Sequence, residues 1–589
     1  MTDPADPDES AGPTGSTAPA GPTAPAGPTA PAGPPAPAAP TAAFRPTAPR
    51  RPSAPSGQTA PAGRVAVIGN GPVGQTTALL LARWGLPVVL LDQRLERDLV
   101  GSKAICQQRD VLDVWASCGG RRIAEEGLTW SRARTFYREH ELFCTDLQDS
   151  GRSPFPPFVN ISQARTEEIL DDAIAAQPLI EQRWGHEVVG LDEAADGVIL
   201  GCDTASGPVT VEARYAVACG GARGRRLREL LGVGFEGRSF ADSFLICDIR
   251  ADLPGWENER RFYFDPEWNP GRQVLIHPCP GGLFRIDWQV APSFDLERAR
   301  ADGSLDARIR QVIGDRPYEI DWTSVYTFHA RIADRFRSGR VLLAGDVAHL
   351  VAPFGARGLN SGVGDADNAA WKLAFVLRGW SGETLLDSYA SERRAAAVEN
   401  LEVTSATMDF LVPQSPEGIE RRRGLLDAAV TDPGVHERVD SGRLAEPFWY
   451  VDSPLTTGSP DRPWPGRPKR GQAPAPVPGV ICPDGPVSDP TDPSVTHMRQ
   501  LCRSGLLVLV GPDSAREPAE QALETALPAD LPRRVVALDV IDTEGVIRGA
   551  LRVAPASDEM WLVRPDAYLA ACVTSLPGLA DAAQRLLPR

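Results

Sequence analysis

A glycine-rich turn between an apolar run and a helix is the feature that most constrains the fold of this chain. Val65 to Ile68 is a short apolar run, and Gly69-Asn70-Gly71-Pro72-Val73-Gly74 follows it directly. Pro72 to Trp84 then carries Ala and Leu at helical spacing, and Pro87 to Leu91 is a second apolar run. A strand, a helix and a strand in this order predict a right-handed crossover and an open α/β sheet.

The glycine spacing in this turn fits the dinucleotide-binding pattern Gly-x-Gly-x-x-Gly. Gly69 permits the tight turn, Gly71 lets the backbone approach a pyrophosphate, and Gly74 lets the helix pack closely on the strand. The positive end of the helix then points at the phosphates. Asp92 ends the next strand, where a carboxylate can accept both ribose hydroxyls. The pattern predicts a bound dinucleotide without separating FAD from NAD; the alternative is a structural glycine turn.

A second, longer motif narrows the choice of cofactor. Gly339 to His349 reads GRVLLAGDVAH, and Pro353 to Asn360 reads PFGARGLN. This ordered segment resembles the second FAD motif of the FAD-dependent aromatic hydroxylase family, the para-hydroxybenzoate hydroxylase and phenol hydroxylase type of group A flavoprotein monooxygenases. The resemblance extends over about residues 64–589 and implies FAD as the cofactor.

The resemblance implies roles for residues of this second motif. Asp346 would hold the ribityl and pyrophosphate region of FAD. The backbone amides of Leu359 and Asn360, which follow Gly358, would face the N1–C2=O edge of the flavin. A helix N-terminus at this place would stabilise the anion that forms on reduction. Pro353 would lie beside the ring, where its carbonyl can meet the substrate hydroxyl. His349 is expected to be a buried structural histidine.

Three further positions are interpreted through the same resemblance. Lys103 falls where the family usually carries an arginine against the FAD pyrophosphate, and it keeps the charge without the bidentate fork. Gln163 would reach the ribityl chain, with a surface glutamine as the alternative. The family normally has Asp-Gly in a third motif beside the NAD(P)H path, but Gly220 stands where the aspartate is expected. This departure weakens the prediction that a nicotinamide is used.

The middle of the chain predicts a sheet that covers the substrate. Period-2 runs at Gln273 to His277 and Leu283 to Gln289 flank the turn signal Pro280-Gly281-Gly282. The polar residues on these strands that could meet a substrate are His277, Arg285, Asp287 and Gln289. Alternation places the last three on one face of their strand, opposite Phe284, Ile286 and Trp288. The sequence does not say which face is inward, ion-paired or solvated roles remain the alternative, and no general base is assigned.

The predicted fold class is α/β: an FAD-binding Rossmann-like domain with an inserted antiparallel β-sheet substrate domain and a C-terminal thioredoxin-like domain. The last domain is inferred from Trp561 to Asp566, which resembles the closing strand of the thioredoxin-like domain in phenol hydroxylases. It has no Cys-x-x-Cys, and Cys482, Cys502 and Cys572 are far apart in sequence, so no redox dithiol is predicted. The expected segments are a disordered Pro/Ala/Thr-rich tail (1–62), the FAD-binding domain (63–239 and 328–412), the substrate sheet (240–327), a helical or irregular connector (413–467) and the thioredoxin-like domain (468–589).

Composition excludes several classes of function. The net charge of −16 provides no basic footprint for nucleic acid or an anionic membrane. No apolar run approaches the ~18 residues of a membrane span, and the N-terminus lacks the pattern of a secretory signal. The ten cysteines form no metal-ligand or disulfide pattern, so we expect no metal site and a cytoplasmic location.

The resemblance implies an enzyme that uses NADH or NADPH and O2 to hydroxylate a phenolic or aminophenolic aromatic through a flavin C4a-hydroperoxide. One alternative is an FAD enzyme of another outcome, such as epoxidation, Baeyer–Villiger oxidation or dehydrogenation. The other is a non-catalytic FAD-fold interaction module, which Gly220 motivates. The sequence does not reveal the substrate or the oligomeric state, although homodimers are common in such families.

Overall fold

The computed structural model describes residues 63–98, 104–147, 149, 151–442, 444, 446–468, 472–555 and 557–588. The predicted tail and Lys103 lie outside these described residues. All described residues belong to one structural unit, Thr59–Arg589. None of the described helices is long and apolar enough to cross a lipid bilayer.

The described chain forms a mixed set of helices and strands. The strands are β1 Val65–Ile68, β2 Val88–Leu91, β3 Cys106–Gln108, β4 Arg132–Tyr137, β5 His140–Asp146, β6 Phe158–Asn160, β7 Ile180–Arg183, β8 Glu187–Ala194, β9 Gly197–Asp203, β10 Val209–Ala213, β11 Tyr215–Ala218, β12 Phe235–Ala251, β13 Glu259–Phe264, β14 Gln273–Cys279, β15 Leu283–Val290, β16 Tyr318–Ala333, β17 Arg337–Ser338, β18 Val341–Leu343, β19 His349–Leu350, β20 Leu506–Val510, β21 Arg533–Ala537, β22 Met560–Val563 and β23 Leu569–Val573. The α-helices are α1 Pro72–Arg83, α2 Arg109–Ala116, α3 Arg122–Glu126, α4 Gln163–Ala175, α5 Arg225–Leu231, α6 Leu296–Ala301, α7 Ser304–Ile313, α8 Arg357–Leu377, α9 Leu385–Leu411, α10 Pro416–Ala429, α11 Met498–Cys502, α12 Arg516–Ala526, α13 Leu538–Ile541, α14 Val546–Leu551 and α15 Leu576–Arg585. Short 3-10 helices are Pro280–Gly282, Gly345–Val347, Pro433–Arg438 and Asp513–Ala515.

A parallel sheet forms the base of the FAD-binding domain. Its strand order is β17-β18-β11-β1-β2-β7, and all neighbours run parallel except β17 and β18. Every residue of β1, β2, β11 and β18 is buried, as expected when both faces of a parallel sheet are covered. Helices α1, α4 and α8 pack together, and the antiparallel sheet β10-β9-β8 contacts β1 and β11. The α/β prediction is confirmed, and the glycine turn, Asp92 and Gly345 all follow carboxyl ends of this sheet.

The second large sheet has the order β19-β16-β12-β15-β14-β13-β4-β5. This sheet includes β4 and β5, which lie outside the segment 240–327 predicted for it. Because β4 pairs with β13 in parallel, the sheet is not antiparallel throughout. Phe284, Ile286 and Trp288 pack in one apolar cluster with residues of α6 and α7. Because alternate residues of a strand point to opposite faces, Arg285 and Asp287 lie on the side away from these helices.

The C-terminal domain has a thioredoxin-like sheet of order β21-β20-β22-β23, with α12 and α15 packed against each other. Strand β21 ends at Ala537, because a helical turn begins at Leu538. Cys482 and Cys502 are far apart in sequence, but the expectation that they are separated is wrong, because they are close in the folded protein. The two buried thiols are neighbours, and the interaction with Cys482 together with burial raises the pKa of Cys502 well above its ordinary value. A cysteine whose pKa is raised in this way is a poor nucleophile.

Candidate active site

A cavity of about 1580 Å³ lies between the carboxyl edge of the parallel sheet and the polar face of the eight-stranded sheet. The glycine turn, the loop after β18 and the start of α8 line one part of it. Strands β12, β14, β15 and β16 line the other part. The cavity therefore joins the predicted cofactor motifs to the predicted substrate sheet.

The glycine turn has the close packing that a dinucleotide cradle needs. Gly69 has a φ of +109°, and a Cβ on it would lie 2.4 Å from the carbonyl oxygen of Cys219. A Cβ on Gly74 would lie 1.8 Å from the carbonyl oxygen of Gly69, so only glycine lets α1 approach this closely. A Cβ on Gly71 would meet nothing within 4 Å, and Gly71 lines the cavity. The turn thus leaves open space where the N-terminus of α1 points, which fits a pyrophosphate.

Asp92 lies at the cavity wall and is anchored by the same turn. Its Oδ2 accepts a hydrogen bond from the Asn70 amide at 2.7 Å, and its Oδ1 accepts one from the Arg94 amide at 2.8 Å. The Arg94 guanidinium also contacts the carboxylate at 3.0 Å. Burial would raise the pKa of Asp92, but the hydrogen bonds from Arg94 and Asn70 lower it below its ordinary value. Asp92 is therefore a fixed anion beside the predicted ribose position.

The loop after β18 presents Asp346 to the cavity. The amide of the preceding Gly345 donates to Asp365 at 2.9 Å, and Asp365 also lies 2.8 Å from Nε2 of His349. Arg393 donates to the other oxygen of Asp365 at 2.7 Å. Burial would raise the pKa of Asp365, but Arg393 and His349 hold it below its ordinary value. His349 itself is buried away from the cavity wall and supports the loop.

The loop before α8 brings Pro353 to the cavity wall, and the start of α8 brings Gly358, Leu359 and Asn360 there. The Asn360 side chain donates to the carbonyl of Cys106 at 2.9 Å and accepts from the amide of Gln108 at 2.9 Å. It thereby fixes the helix to β3. The Pro353 carbonyl accepts a hydrogen bond from the Ala356 amide at 3.0 Å, so one of its two lone pairs is already in use.

Gln163 and Gly220 also line this end of the cavity. The Gln163 side chain accepts from the Ala104 amide at 3.2 Å and donates to Glu167 at 2.8 Å, which orients it. A Cβ on Gly220 would lie 2.7 Å from Cδ1 of Leu227. Leu227 thus fills the space that a larger residue would need.

The polar face of β14 and β15 borders the other end of the cavity, where His277, Arg285 and Asp287 all line the wall. Arg285 donates to both oxygens of Asp248, at 2.7 and 2.8 Å. Burial, with the nearby Arg260 and Arg285 charges, lowers the pKa of His277 well below its ordinary value, so the ring is neutral. Burial raises the pKa of Asp287 to about 7.

The third substrate candidate, Gln289, is not among the residues that line the cavity. It shares the face of Arg285, but its amide nitrogen donates to Asp242 at 2.5 Å and its oxygen accepts from the Gln273 amide at 3.3 Å. These contacts hold it at the end of the strand, beyond the cavity edge. The expectation that it meets the substrate is therefore corrected.

The structure adds wall residues that sequence reasoning did not find. Phe244 and Phe328 stack with ring centroids 4.4 Å apart, and Phe354 packs edge-on against Phe244 at 5.7 Å. Arg260 lines the cavity and donates to the Ser441 carbonyl, which ties the connector after α10 to the wall. No sequence spacing could have paired these segments, because the phenylalanines come from three separate elements.

Comparison with known proteins agrees with this geometry. The FAD binding domain family matches residues 63–404, more than half of the chain. The chain is 33% identical to a 3-(3-hydroxy-phenyl)propionate/3-hydroxycinnamic acid hydroxylase of Paraburkholderia xenovorans (strain LB400), over 60% of this chain and 57% of the relative. A protein of the same name from Comamonas testosteroni is 29% identical over 63% and 62% of the two chains. The chain thus spans about three fifths of the length of these curated relatives.

Solved structures show the same fold. The flavin-dependent monooxygenase PieE, in complex with FAD and substrate, aligns with a TM-score of 0.75 at 23% identity, over 90% of this chain and 100% of PieE. The p-nitrophenol 4-monooxygenase of Pseudomonas putida DLL-E4 aligns with a TM-score of 0.55 at 25% identity, over 64% and 95%. The resemblance to the FAD-dependent aromatic hydroxylase family and the prediction of FAD are confirmed. The chain therefore belongs to the FAD binding domain family, and its cofactor is FAD.

Proposed function

We propose that this protein is an FAD-dependent monooxygenase that uses NADH or NADPH and O2 to hydroxylate a phenolic or aminophenolic aromatic. The observation that carries the proposal is the single cavity that joins the dinucleotide cradle to an aromatic and polar wall. The hydroxylase names of the relatives and the monooxygenase names of the solved structures support it.

The residues at the cradle end fit FAD. Gly71 and the N-terminus of α1 would face the pyrophosphate, Asp92 the ribose, and Gln163 with Asp346 the ribityl chain. The first amides of α8 would bind the flavin edge and stabilise negative charge there. When bound, FAD supplies the redox and oxygen chemistry that no side chain can provide.

The residues at the other end fit a substrate with an aromatic ring and a polar substituent. Phe244, Phe328 and Phe354 form an apolar cluster at the wall that can pack against a ring and exclude water. His277 and Asp287 provide the polar groups that would orient a hydroxyl or an amino group. An aromatic wall with a few polar groups is the usual composition of a small-molecule site.

The test begins with the FAD-loaded protein in air. NADH and NADPH oxidation is followed with 3-(3-hydroxyphenyl)propionate, 3-hydroxycinnamate, 4-nitrophenol and 2-aminophenol. The masses of the products are then measured by mass spectrometry after reaction under 18O2. The expected result is oxidation that one of these aromatics stimulates, with a product that has gained one labelled oxygen. A labelled product of epoxidation or ring expansion would replace the hydroxylase proposal by another monooxygenase outcome. If neither NADH nor NADPH reduces the flavin, the protein has lost the use of a nicotinamide, and we would assign this loss to Gly220.

The cellular setting is proposed on separate grounds. All ten cysteines lie among the described residues, and the structure shows each of them as a free thiol. This supports a reducing, cytoplasmic compartment. The homodimer stays a prediction, to be checked by light scattering.

A further inference from the structure

We propose that Asp287 is the group that takes the proton from the hydroxyl of the aromatic substrate. The assignment rests on the proposed hydroxylase function and names the general base that this function needs. A ring whose hydroxyl has lost its proton is more electron-rich and reacts more readily with an electrophilic oxygen. The group that accepts this proton has to touch the hydroxyl inside the cavity.

The position of Asp287 in the sheet carries the assignment. On β15 it stands in register with Leu275 of β14 and Ile246 of β12, and all three line the cavity. Its partners across both neighbouring strands are therefore apolar. Its Oδ1 is buried and has no hydrogen-bond partner among the residues that the structure describes. Asp287 as a whole residue is partly exposed and lines the cavity, so a ligand in the cavity can contact its side chain.

Two charged neighbours of Asp287 form an ion pair with each other. Arg285, two residues earlier on the same face, donates to both oxygens of Asp248 of β12, and the side chains of both are 3% exposed. That ion pair keeps a positive charge near Asp287 but binds a different carboxylate. The other titratable or charged groups around Asp287 are His277 of β14, Arg260 of β13, Tyr326 of β16 and the thiols of Cys247 and Cys279.

His277 is the obvious competitor for the same role. It faces Arg285 across the strands, its Nδ1 has no hydrogen-bond partner in the described structure, and it lines the cavity. Burial and two nearby arginines lower the pKa of His277 well below its ordinary value, so it is a weak base. It can donate or accept a hydrogen bond to orient the substrate but cannot hold a proton at neutral pH.

The proton transfer is balanced within the cavity. The O–H bond of the substrate breaks, the proton bonds to a carboxylate oxygen of Asp287, and the electron pair stays on the substrate oxygen. No electron leaves either group, and the total charge of the pair is unchanged. This matters because a transfer that creates new net charge in a dry cavity would be strongly opposed.

The acidities of the two groups also bear on proton transfer from the substrate hydroxyl to Asp287. A phenol ionises near pH ~10, about six units above an ordinary aspartate. Burial raises the pKa of Asp287 to about 7, which narrows the difference to about three units. The equilibrium for proton transfer thereby becomes about a thousandfold less unfavourable than for an ordinary aspartate.

The test uses the FAD-loaded full chain and one matched pair of ligands. 3-(3-Hydroxyphenyl)propionate and 3-phenylpropionate differ only in the hydroxyl, and both carboxylates are ionised between pH 5.5 and 8.5, roughly a unit or more above a carboxyl pKa of ~4.3. Dissociation constants are measured across this range for the wild type, Asp287→Asn and Asp287→Glu. Asp252→Asn is the control variant, because Asp252 is an exposed aspartate that directly follows β12 and is not among the residues that line the cavity.

The expected result is a loss of ligand affinity towards low pH, here called the pH limb, that requires both the substrate hydroxyl and Asp287. Wild-type affinity for the hydroxylated ligand should fall below about pH 7, approaching tenfold per pH unit, since the protonated carboxyl can no longer accept. The limb should be absent for 3-phenylpropionate and for Asp287→Asn, retained in Asp252→Asn, and retained with a shifted midpoint in Asp287→Glu. Turnover of Asp287→Asn should fall by about 10²- to 10⁴-fold.

The remaining outcomes separate the two proposals. If the hydroxylated ligand binds with the same pH dependence in the wild type and in Asp287→Asn, the assignment of Asp287 is overturned and the hydroxylase proposal stands. If no phenol of the panel binds or is converted by the wild type, the hydroxylase proposal is overturned and the assignment goes with it.

Discussion

The guanidinium of Arg564 donates two hydrogen bonds to the carboxylate of Glu392, at 2.6 and 2.9 Å. The pair joins the thioredoxin-like domain to α9 of the FAD-binding domain, and the two side chains are 0% and 1% exposed. Lys372 of α8 adds a third hydrogen bond to Glu392 at 2.6 Å. The next residue on α9, Arg393, holds Asp365 beneath the loop of Asp346. The C-terminal domain is therefore linked by buried charges to the predicted FAD motif.

Replacing Arg564 by methionine should strongly destabilise the protein. The substitution removes the arginine that pairs with the buried carboxylates of Asp566 and Glu392, and such changes cost about 3–5 kcal/mol. Urea denaturation of the FAD-loaded protein measures the loss. Arg516→Met removes exposed pairs with Asp513 and Glu520 on the same domain, and it should leave the urea midpoint almost unchanged. Equal midpoints for the two variants would contradict the buried link.

Gly74→Ala should prevent the cradle from forming. The new Cβ would lie 1.8 Å from the backbone oxygen of Gly69, and backbone cannot swing aside as a side chain can. We expect protein without flavin, detected by the absorbance ratio of flavin to protein. Gly424→Ala in the exposed part of α10 meets nothing within 4 Å and should be neutral or stabilising by up to about 1 kcal/mol. A fully loaded Gly74→Ala protein would show that α1 can move away from β1.

Asp346→Ala should weaken FAD binding without unfolding the chain. Loss of a hydrogen bond to a charged group costs about 1.5–3 kcal/mol, which is roughly 10- to 150-fold in affinity. Flavin fluorescence, titrated into the apoprotein, measures the dissociation constant. Glu229→Ala removes an exposed carboxylate of α5 and should leave it unchanged. Unaltered FAD affinity in Asp346→Ala would remove this residue from the site.

Asp287→Asn should stabilise the protein at alkaline pH. The pKa of Asp287 is about 7 in the fold and about 3.8 when unfolded, so between these values the folded state binds more protons. Its contribution to the free energy of unfolding therefore falls as pH rises from about 4 to about 7 and stays low above that. The variant removes this loss, so it should exceed the wild type in stability at pH 8 and match it near pH 4. Urea midpoints at a series of pH values test this, and a constant difference would contradict the raised pKa.

Local patterns predicted the parts of the fold whose signals lie within short segments. β1, α1 and β2 follow from apolar runs around a glycine turn, and α8 begins at Arg357, within the motif where a helix N-terminus is expected. The motif residues of the cradle were found because backbone geometry demands glycine or a carboxylate at fixed spacing. Lys103, by contrast, lies outside the described residues, so its role stays a prediction.

Pairings between distant segments could not be predicted. The arginines of β4 hide its period-2 pattern, and its parallel pairing with β13 joins segments more than a hundred residues apart. Alternation on β15 separated Arg285 and Asp287 from Trp288, but only the packing of α6 and α7 decides which face meets the cavity. Contacts with Asp242 and Gln273, which no local pattern indicates, hold Gln289 beyond the cavity edge. The separation of Cys482 and Cys502 in sequence likewise gave no sign that they are neighbours.

The position of β18 also bears on how the protein is made. β11 pairs with β1 on one side and with β18 on the other, yet five of the eight strands of the large sheet, β12 to β16, separate β11 from β18 in the chain. The central sheet cannot be completed until that long segment has left the ribosome, and such non-local pairing slows folding. Until β18 arrives, the edge of β11 is open to pairing with other chains. Because Asp346 follows β18, the protein should acquire its flavin late in biogenesis, after most of the substrate sheet is in place.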